Sequence, residues 1–319
     1  MDAPPRRPAP VERLSDSPPS AGEWRADAAA QSRHSRLDDS LVEPLDNRDL
    51  DHAATVCAEI ARRALGDFAP ALMLLSTAER QRLQALAAFA LTLFDFARQS
   101  SLEGERLAQM NRWSFDLEST LDGQPPGQPV FVLLAAAGEQ RPWPPDALEA
   151  IVTCARRRAL QQRARSTDDL EKESLRLARA LCQALLPKAS DKASKLGAAL
   201  LRVGRLLALG EDQRRHQAGL ASDELPELWA GDRATSSEQL ATAIRHESSR
   251  LSAALVTAKA DTTHLPTTSW RRATSYAILT ARKLLSRTET TGAEIIHSPP
   301  QLGAVERVLL LLRSRWLPL

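Results

Sequence analysis

The chain has 319 residues, of which 43% are hydrophobic and 26% charged, enough for a sizeable core and ordinary for a globular protein. Its 42 basic and 40 acidic residues leave a formal charge of +2, which argues against a dedicated nucleic-acid binder. Three dispersed cysteines, Cys57, Cys154 and Cys182, have no C-x-x-C spacing, which argues against a zinc or disulfide framework and for a reducing compartment.

Residues 1–48 are rich in Pro, Ser, Arg and Asp and read as a disordered tail, with prolines that exclude a continuous helix. Met1-Asp2-Ala3-Pro4-Pro5 lacks the apolar core of a signal peptide. No later stretch approaches the ~20 apolar residues of a membrane span. A cytoplasmic location is therefore expected.

From Asp51 the pattern is helical. Asp51–Leu65 reads as a first helix stopped by Gly66. Ser76-Thr77-Ala78-Glu79 is a capping box. After it, Leu83, Leu86, Ala87, Ala90, Leu93, Phe94 and Ala97 recur at helical spacing. Leu102–Leu121 is a further helix, ended by Gly123-Gln124-Pro125-Pro126. Val130–Gly138 fits strand or helix alone, and its helical context favours helix. Pro144-Pro145-Asp146 opens a helix expected to run through Arg165. Ser166-Thr167-Asp168-Asp169 caps Leu170–Leu186.

Asp191–Glu211 reads as one amphipathic helix. Ser236-Ser237-Glu238-Gln239 caps another to about Lys259, and Trp270–Arg287 is helical again. The final helix, Leu302–Trp316, carries Val308 to Leu312 beside Arg307, Arg313 and Arg315. Its apolar run is expected to pack on the core, with contact to a membrane surface as the weaker alternative. About ten helices and no convincing strand make an all-α protein, a single domain over 49–319.

The sequence has no Gly-rich phosphate loop, G-x-S-x-G or H-E-x-x-H, which argues against the chemistries they serve. The run Arg156-Arg157-Arg158 reads as a solvated face rather than a phosphate site. Two short acidic segments remain, Phe94-Asp95-Phe96-Ala97-Arg98 and Gly210-Glu211-Asp212.

Set in their surroundings, these segments carry a resemblance to the squalene/phytoene synthase family. Phe68 to Leu75 with Arg80 is similar to the family's opening stretch. Ala88-Phe89-Ala90 resembles the run before its first acidic motif, Asp-Asp-x-x-Asp. Against that motif the chain has Phe94, Asp95 and Arg98, so one carboxylate remains and the last is replaced by a cation. Thr167-Asp168-Asp169-Leu170-Glu171 is similar to the Thr-x-x-Asp-Leu segment, with Glu173-Ser174 in place of Tyr-Cys. The second acidic motif, Asn-x-x-x-Asp-x-x-Glu-Asp, is met by Gly204, Ala208, Glu211 and Asp212, followed by Arg214-Arg215 and Leu220-Ala221. Tyr276-Ala277-Ile278-Leu279 resembles the Tyr-x-x-Ile-Leu helix.

The resemblance implies an isoprenoid-synthase helical bundle around a central cavity. It also implies head-to-head condensation of isoprenyl diphosphates, a prenyltransferase reaction, with Mg²⁺ where the chemistry persists. Asp95, Glu211 and Asp212 would then be catalytic and metal-side residues. Arg98, Arg214 and Arg215 would face diphosphate. The replaced carboxylates make reduced, altered or lost catalysis the expected outcome, since a guanidinium repels Mg²⁺ while suiting phosphate. The alternative is a non-catalytic homologue that binds an isoprenoid lipid or partners an active synthase subunit. A helical interaction module unrelated to isoprenoids is a third reading.

Overall fold

A computed structural model describes residues 47–99, 102–160, 164, 166–186, 188, 190–214, 220, 237–259 and 265–316. Every regular element among them is helical. In chain order they are α1 (Asn47–Leu65), a 3₁₀ segment (Gly66–Leu74), α2 (Thr77–Arg98), α3 (Glu103–Leu121), α4 (Pro129–Gln140) and α5 (Pro145–Ala159). There follow α6 (Thr167–Leu185), α7 (Asp191–Leu207), α8 (Leu209–Arg214), α9 (Ser237–Lys259), α10 (Thr268–Thr291), a second 3₁₀ segment (Gly292–Ile296) and α11 (Ala304–Trp316). All belong to one compact unit, residues 44–319. The expected tail, apart from its last two residues, lies outside the described residues, as does the Ser236 cap.

Local chemistry sets most boundaries. α1 begins earlier than expected, because Leu50 still packs on the core. At the start of α2 the capping box forms: Glu79 N–H donates to Ser76 Oγ at 3.3 Å, and Ser76 N–H donates back to the Glu79 carboxylate at 3.0 Å. The Glu79 carboxylate also accepts from Thr267 Oγ1 at 2.8 Å and Ser269 Oγ at 2.6 Å, so one acid joins the starts of α2 and α10. Ser166 caps α6 as expected. α5 stops at Ala159, short of Arg165. Gly292 ends α10 at φ 58°, a conformation without steric cost only for glycine.

Among the described residues, two large apolar cores organise the bundle, beside a small cluster of Leu72, Leu75 and Ala273. The first is built by α1 to α6 around Phe89, Trp113 and Phe131. The Trp113 and Phe131 ring centroids lie 4.6 Å apart, and Phe96 meets Trp113 edge-on at 5.4 Å. The second is built by α7 to α10, with Val203, Leu206, Ile244, Leu285 and Ile295. The two halves join where α6 packs on α7. Buried Tyr276 donates its hydroxyl to Asp67 O at 2.9 Å and pins the first 3₁₀ segment to α10.

Two expectations are corrected. The single helix Asp191–Glu211 is broken at Ala208, which leaves the helical region at φ −87°, ψ 4°. The cause lies far along the chain. A Cβ on Gly210 would stand 1.9 Å from the Ile296 carbonyl oxygen, so α8 is seated directly on the second 3₁₀ backbone. The core-packing reading of the last helix holds only in part, with Leu310 and Leu311 half-buried. Val305, Val308, Leu309 and Leu312 are exposed, at 72%, 55%, 59% and 48%, and their i, i+3, i+4, i+7 spacing makes one outward apolar stripe. α11 is also held through its polar side, where Arg287 pairs with Glu306 at 2.6 Å.

Candidate functional site

The site lies at the seam between the two cores and is assembled from helix ends. α2 brings Arg98 in its last turn, and α5 brings Arg158 in its last turn. α7 brings Arg205, also in its last turn, and α8 brings Asp212. Cations at helix C-termini are electrostatically favoured there.

Asp212 is the centre. Its side chain is fully buried. Its Oδ2 accepts a hydrogen bond from Arg158 Nη2 at 2.9 Å. Its Oδ1 lies 3.8 Å from Arg98 Nη2, close enough for an ion pair but too far for a hydrogen bond. The Asp212 amide donates to Ala208 O at 2.9 Å, which carries the chain across the helix break and fixes where the carboxylate points. Beside this triad, Arg205 Nη2 meets Glu173 at 2.6 Å. One turn back, Arg202 holds buried Glu247 at 2.7 Å and reaches Glu171 at 3.4 Å.

Positive charge crowds this site. Burial pushes the Arg158 guanidinium down to about 10. Asp212 opposes that shift, whereas nearby Arg205 and Arg98 reinforce it. Cys154, also on α5, has its thiol pushed up by burial and by the Glu173 carboxylate, so it is poorly suited to act as a nucleophile.

The two acidic segments therefore meet, but through a cation and an acid. Asp95 is exposed on α2, and Glu211 is half-buried on α8. Among the described residues, no group of three or more His, Cys, Asp or Glu side chains is placed to hold a metal ion. Gly204 is exposed and Ala208 half-buried, and neither side chain has a ligand atom. Mg²⁺ demands near-octahedral oxygen ligands at ~2.0–2.1 Å. The buried Asp212 carboxylate faces two guanidiniums, so these residues do not fit that ion. Arg214 closes α8, but its side chain and all of Arg215 lie outside the described residues.

Arg158 and Arg205 are site residues that the sequence reading missed. Successive helical residues point about 100° apart, so Arg156-Arg157-Arg158 is not one face. Arg156 donates to Asn111 Oδ1 at 3.0 Å and Ser114 Oγ at 3.1 Å, Arg157 is exposed, and Arg158 turns inward to Asp212. The available signal was the position of Arg158 at a helix end, with buried Ala155 and Ala159 beside it.

The family model described as Squalene/phytoene synthase matches residues 61–308. A dehydrosqualene synthase, solved in complex with a ligand, superposes with a TM-score of 0.70 at 19% identity, covering 84% of this chain and 97% of that one. Squalene synthase HpnC from Alicyclobacillus acidocaldarius gives 0.62 at 16% identity, covering 77% and 97%. YisP from Bacillus subtilis gives 0.61 at 14%, covering 85% and 100%. At these identities the likeness shows the fold. No curated protein matches the chain significantly in sequence.

Proposed function

Because the chain belongs to the squalene/phytoene synthase family, we propose that it handles an isoprenyl diphosphate or a related isoprenoid lipid, with the family's condensation reduced, altered or lost. The observation that carries this reading is the pairing of Asp212 with Arg158 at 2.9 Å and Arg98 at 3.8 Å. In the family reaction one diphosphate leaves an allylic carbon, and bound Mg²⁺ neutralises the leaving group. Here the chain's own guanidiniums can bind and orient phosphate oxygens. They supply no Lewis acid, and their charge is already shared with Asp212 and Glu173. Affinity without strong ionisation is the expected consequence.

Incubation of the full chain with farnesyl or geranylgeranyl diphosphate and Mg²⁺, followed by product analysis, tests this. Little or no squalene, phytoene or presqualene-type product is expected. Formation at rates normal for an active synthase would overturn the reading. A companion reading, a non-catalytic homologue beside an active synthase subunit, is supported by the same loss of ligand atoms. It predicts that such a synthase co-purifies with the chain.

No helix among the described residues is long and apolar enough to cross a membrane. Contact with a lipid surface would instead be peripheral, through the outward stripe of α11, which exposed Arg313 and Arg315 follow.

A further inference from the structure

The triad is not internally complete. Asp212 Oδ2 is engaged by Arg158, but Oδ1 accepts no hydrogen bond. On the Arg98 side chain, Nε is buried and also unpartnered. Arg98 reaches Oδ1 through Nη2 at the ion-pair distance of 3.8 Å, so this pair of side chains keeps one buried acceptor and one buried donor without a hydrogen bond. Unmade bonds of this kind are costly, and a geometry that retains them is poised for another partner. At the triad itself, Arg98 and Arg158 set two positive charges against the single carboxylate of Asp212, while Arg205 is matched by Glu173 beside it. The balance remains positive and fork-shaped, which suits tetrahedral phosphate oxygens better than it suits a divalent cation.

We propose that this seam binds a diphosphate head group without a divalent cation, and that Asp212 is an internal counter-anion competing with that ligand rather than a metal ligand. The proposal rests on the isoprenoid reading for the identity of the ligand's tail, but its head-group chemistry is testable alone. It reverses the sign of one substitution. If Asp212 held a metal, removing its charge would weaken diphosphate binding. As a counter-anion, its removal frees Arg158 and Arg98, and binding tightens.

Calorimetric titration of the full chain with inorganic pyrophosphate, farnesyl diphosphate and farnesol, each in EDTA and in Mg²⁺, decides the matter. Pyrophosphate and farnesyl diphosphate are expected to bind in EDTA, with no gain from Mg²⁺. Asp212→Asn should tighten both by roughly tenfold or more, as expected for one charge removed at ~4 Å in a partly screened site. Arg98→Gln should weaken both by roughly tenfold, and its partial exposure makes it the safer variant should Asp212→Asn fail to fold. Thermal unfolding of each variant checks the fold.

Binding that requires Mg²⁺, or weakening by Asp212→Asn in a folded protein, would overturn the proposal. Farnesol binding without any pyrophosphate or farnesyl diphosphate binding would also overturn it, while leaving the isoprenoid reading intact. If none of the three binds, both fall.

Discussion

Two glycines six positions apart in sequence should respond in opposite directions to the same substitution. A Cβ on Gly204 meets nothing within 4 Å, and its backbone is ordinary helix within α7. Gly204→Ala removes the entropic cost of a mid-helix glycine and should stabilise the protein by ~0.5–1 kcal/mol. A Cβ on Gly210 would stand 1.9 Å from Ile296 O, 2.6 Å from its carbonyl carbon and 2.9 Å from its Cα. All three are backbone atoms, so no rotamer change relieves the clash, and the oxygen must retreat beyond 3.0 Å. Forcing such overpacking costs about 2–3 kcal/mol. At ~2–4 °C per kcal/mol for a domain of this scale, Gly210→Ala should lower Tm by ~5–10 °C and Gly204→Ala should raise it by ~2 °C. Differential scanning calorimetry of the two variants reads both. Gly210→Ala should also loosen the placement of Asp212, two residues on. An unchanged Tm for Gly210→Ala would refute the claim that α8 is seated on the second 3₁₀ segment.

Other consequences follow from particular side chains. Buried Arg82 donates to the carbonyls of Ala137, Arg141, Pro142 and Ala184 and stacks 3.6 Å over Trp143. Arg82→Met, which strands those acceptors, should cost roughly 3 kcal/mol in denaturant unfolding, and Arg82→Lys should not rescue it because an ammonium cannot fork. Burial raises the Glu79 pKa, but hydrogen bonds from Ser269, Thr267 and Ser76 outweigh it and hold the carboxyl below its ordinary 4.5. A depressed folded value contributes stability above the unfolded pKa, and that contribution is lost as pH falls through the folded one. The drop in Tm between pH 6 and pH 3 should therefore be smaller in Glu79→Gln than in the wild type. On α11, Leu309→Glu should reduce sedimentation with anionic liposomes while moving Tm by less than about 1 °C. Unchanged sedimentation would remove the stripe as a lipid contact.

The sequence made the helices legible wherever their ends are set locally. Ser76 with Glu79 and Ser166 with Asp169 could be read as caps because the partners lie three residues apart. The break at Ala208 could not, since its cause is the Ile296 backbone, more than eighty residues away. Gly210 was the only local hint. The outward face of α11 is not legible in the sequence for a related reason. An apolar run such as Val308 to Leu312 shows that a helix has an apolar side, but not whether another helix lies against it. In the site, Arg98 and Asp212 could be found as departures from, and remnants of, acidic motifs. Arg158 and Arg205 carry no motif. They belong to the site because helix ends converge there, and only the packing of α5, α6, α7 and α8 brings Arg158 to Asp212 and Arg205 to Glu173 beside it.

On the proposed reading, a guanidinium–carboxylate triad stands where a metal-binding acid cluster would be. Mn²⁺ titration of the full chain, following the EPR signal of the free ion, tests it directly, with Mn²⁺ standing in for Mg²⁺ at oxygen ligands. No stoichiometric uptake by the wild-type chain is expected, and uptake should be gained when Arg98→Asp, Gly204→Asn and Ala208→Asp are combined. Stoichiometric uptake by the wild type, abolished by Asp212→Asn, would contradict it.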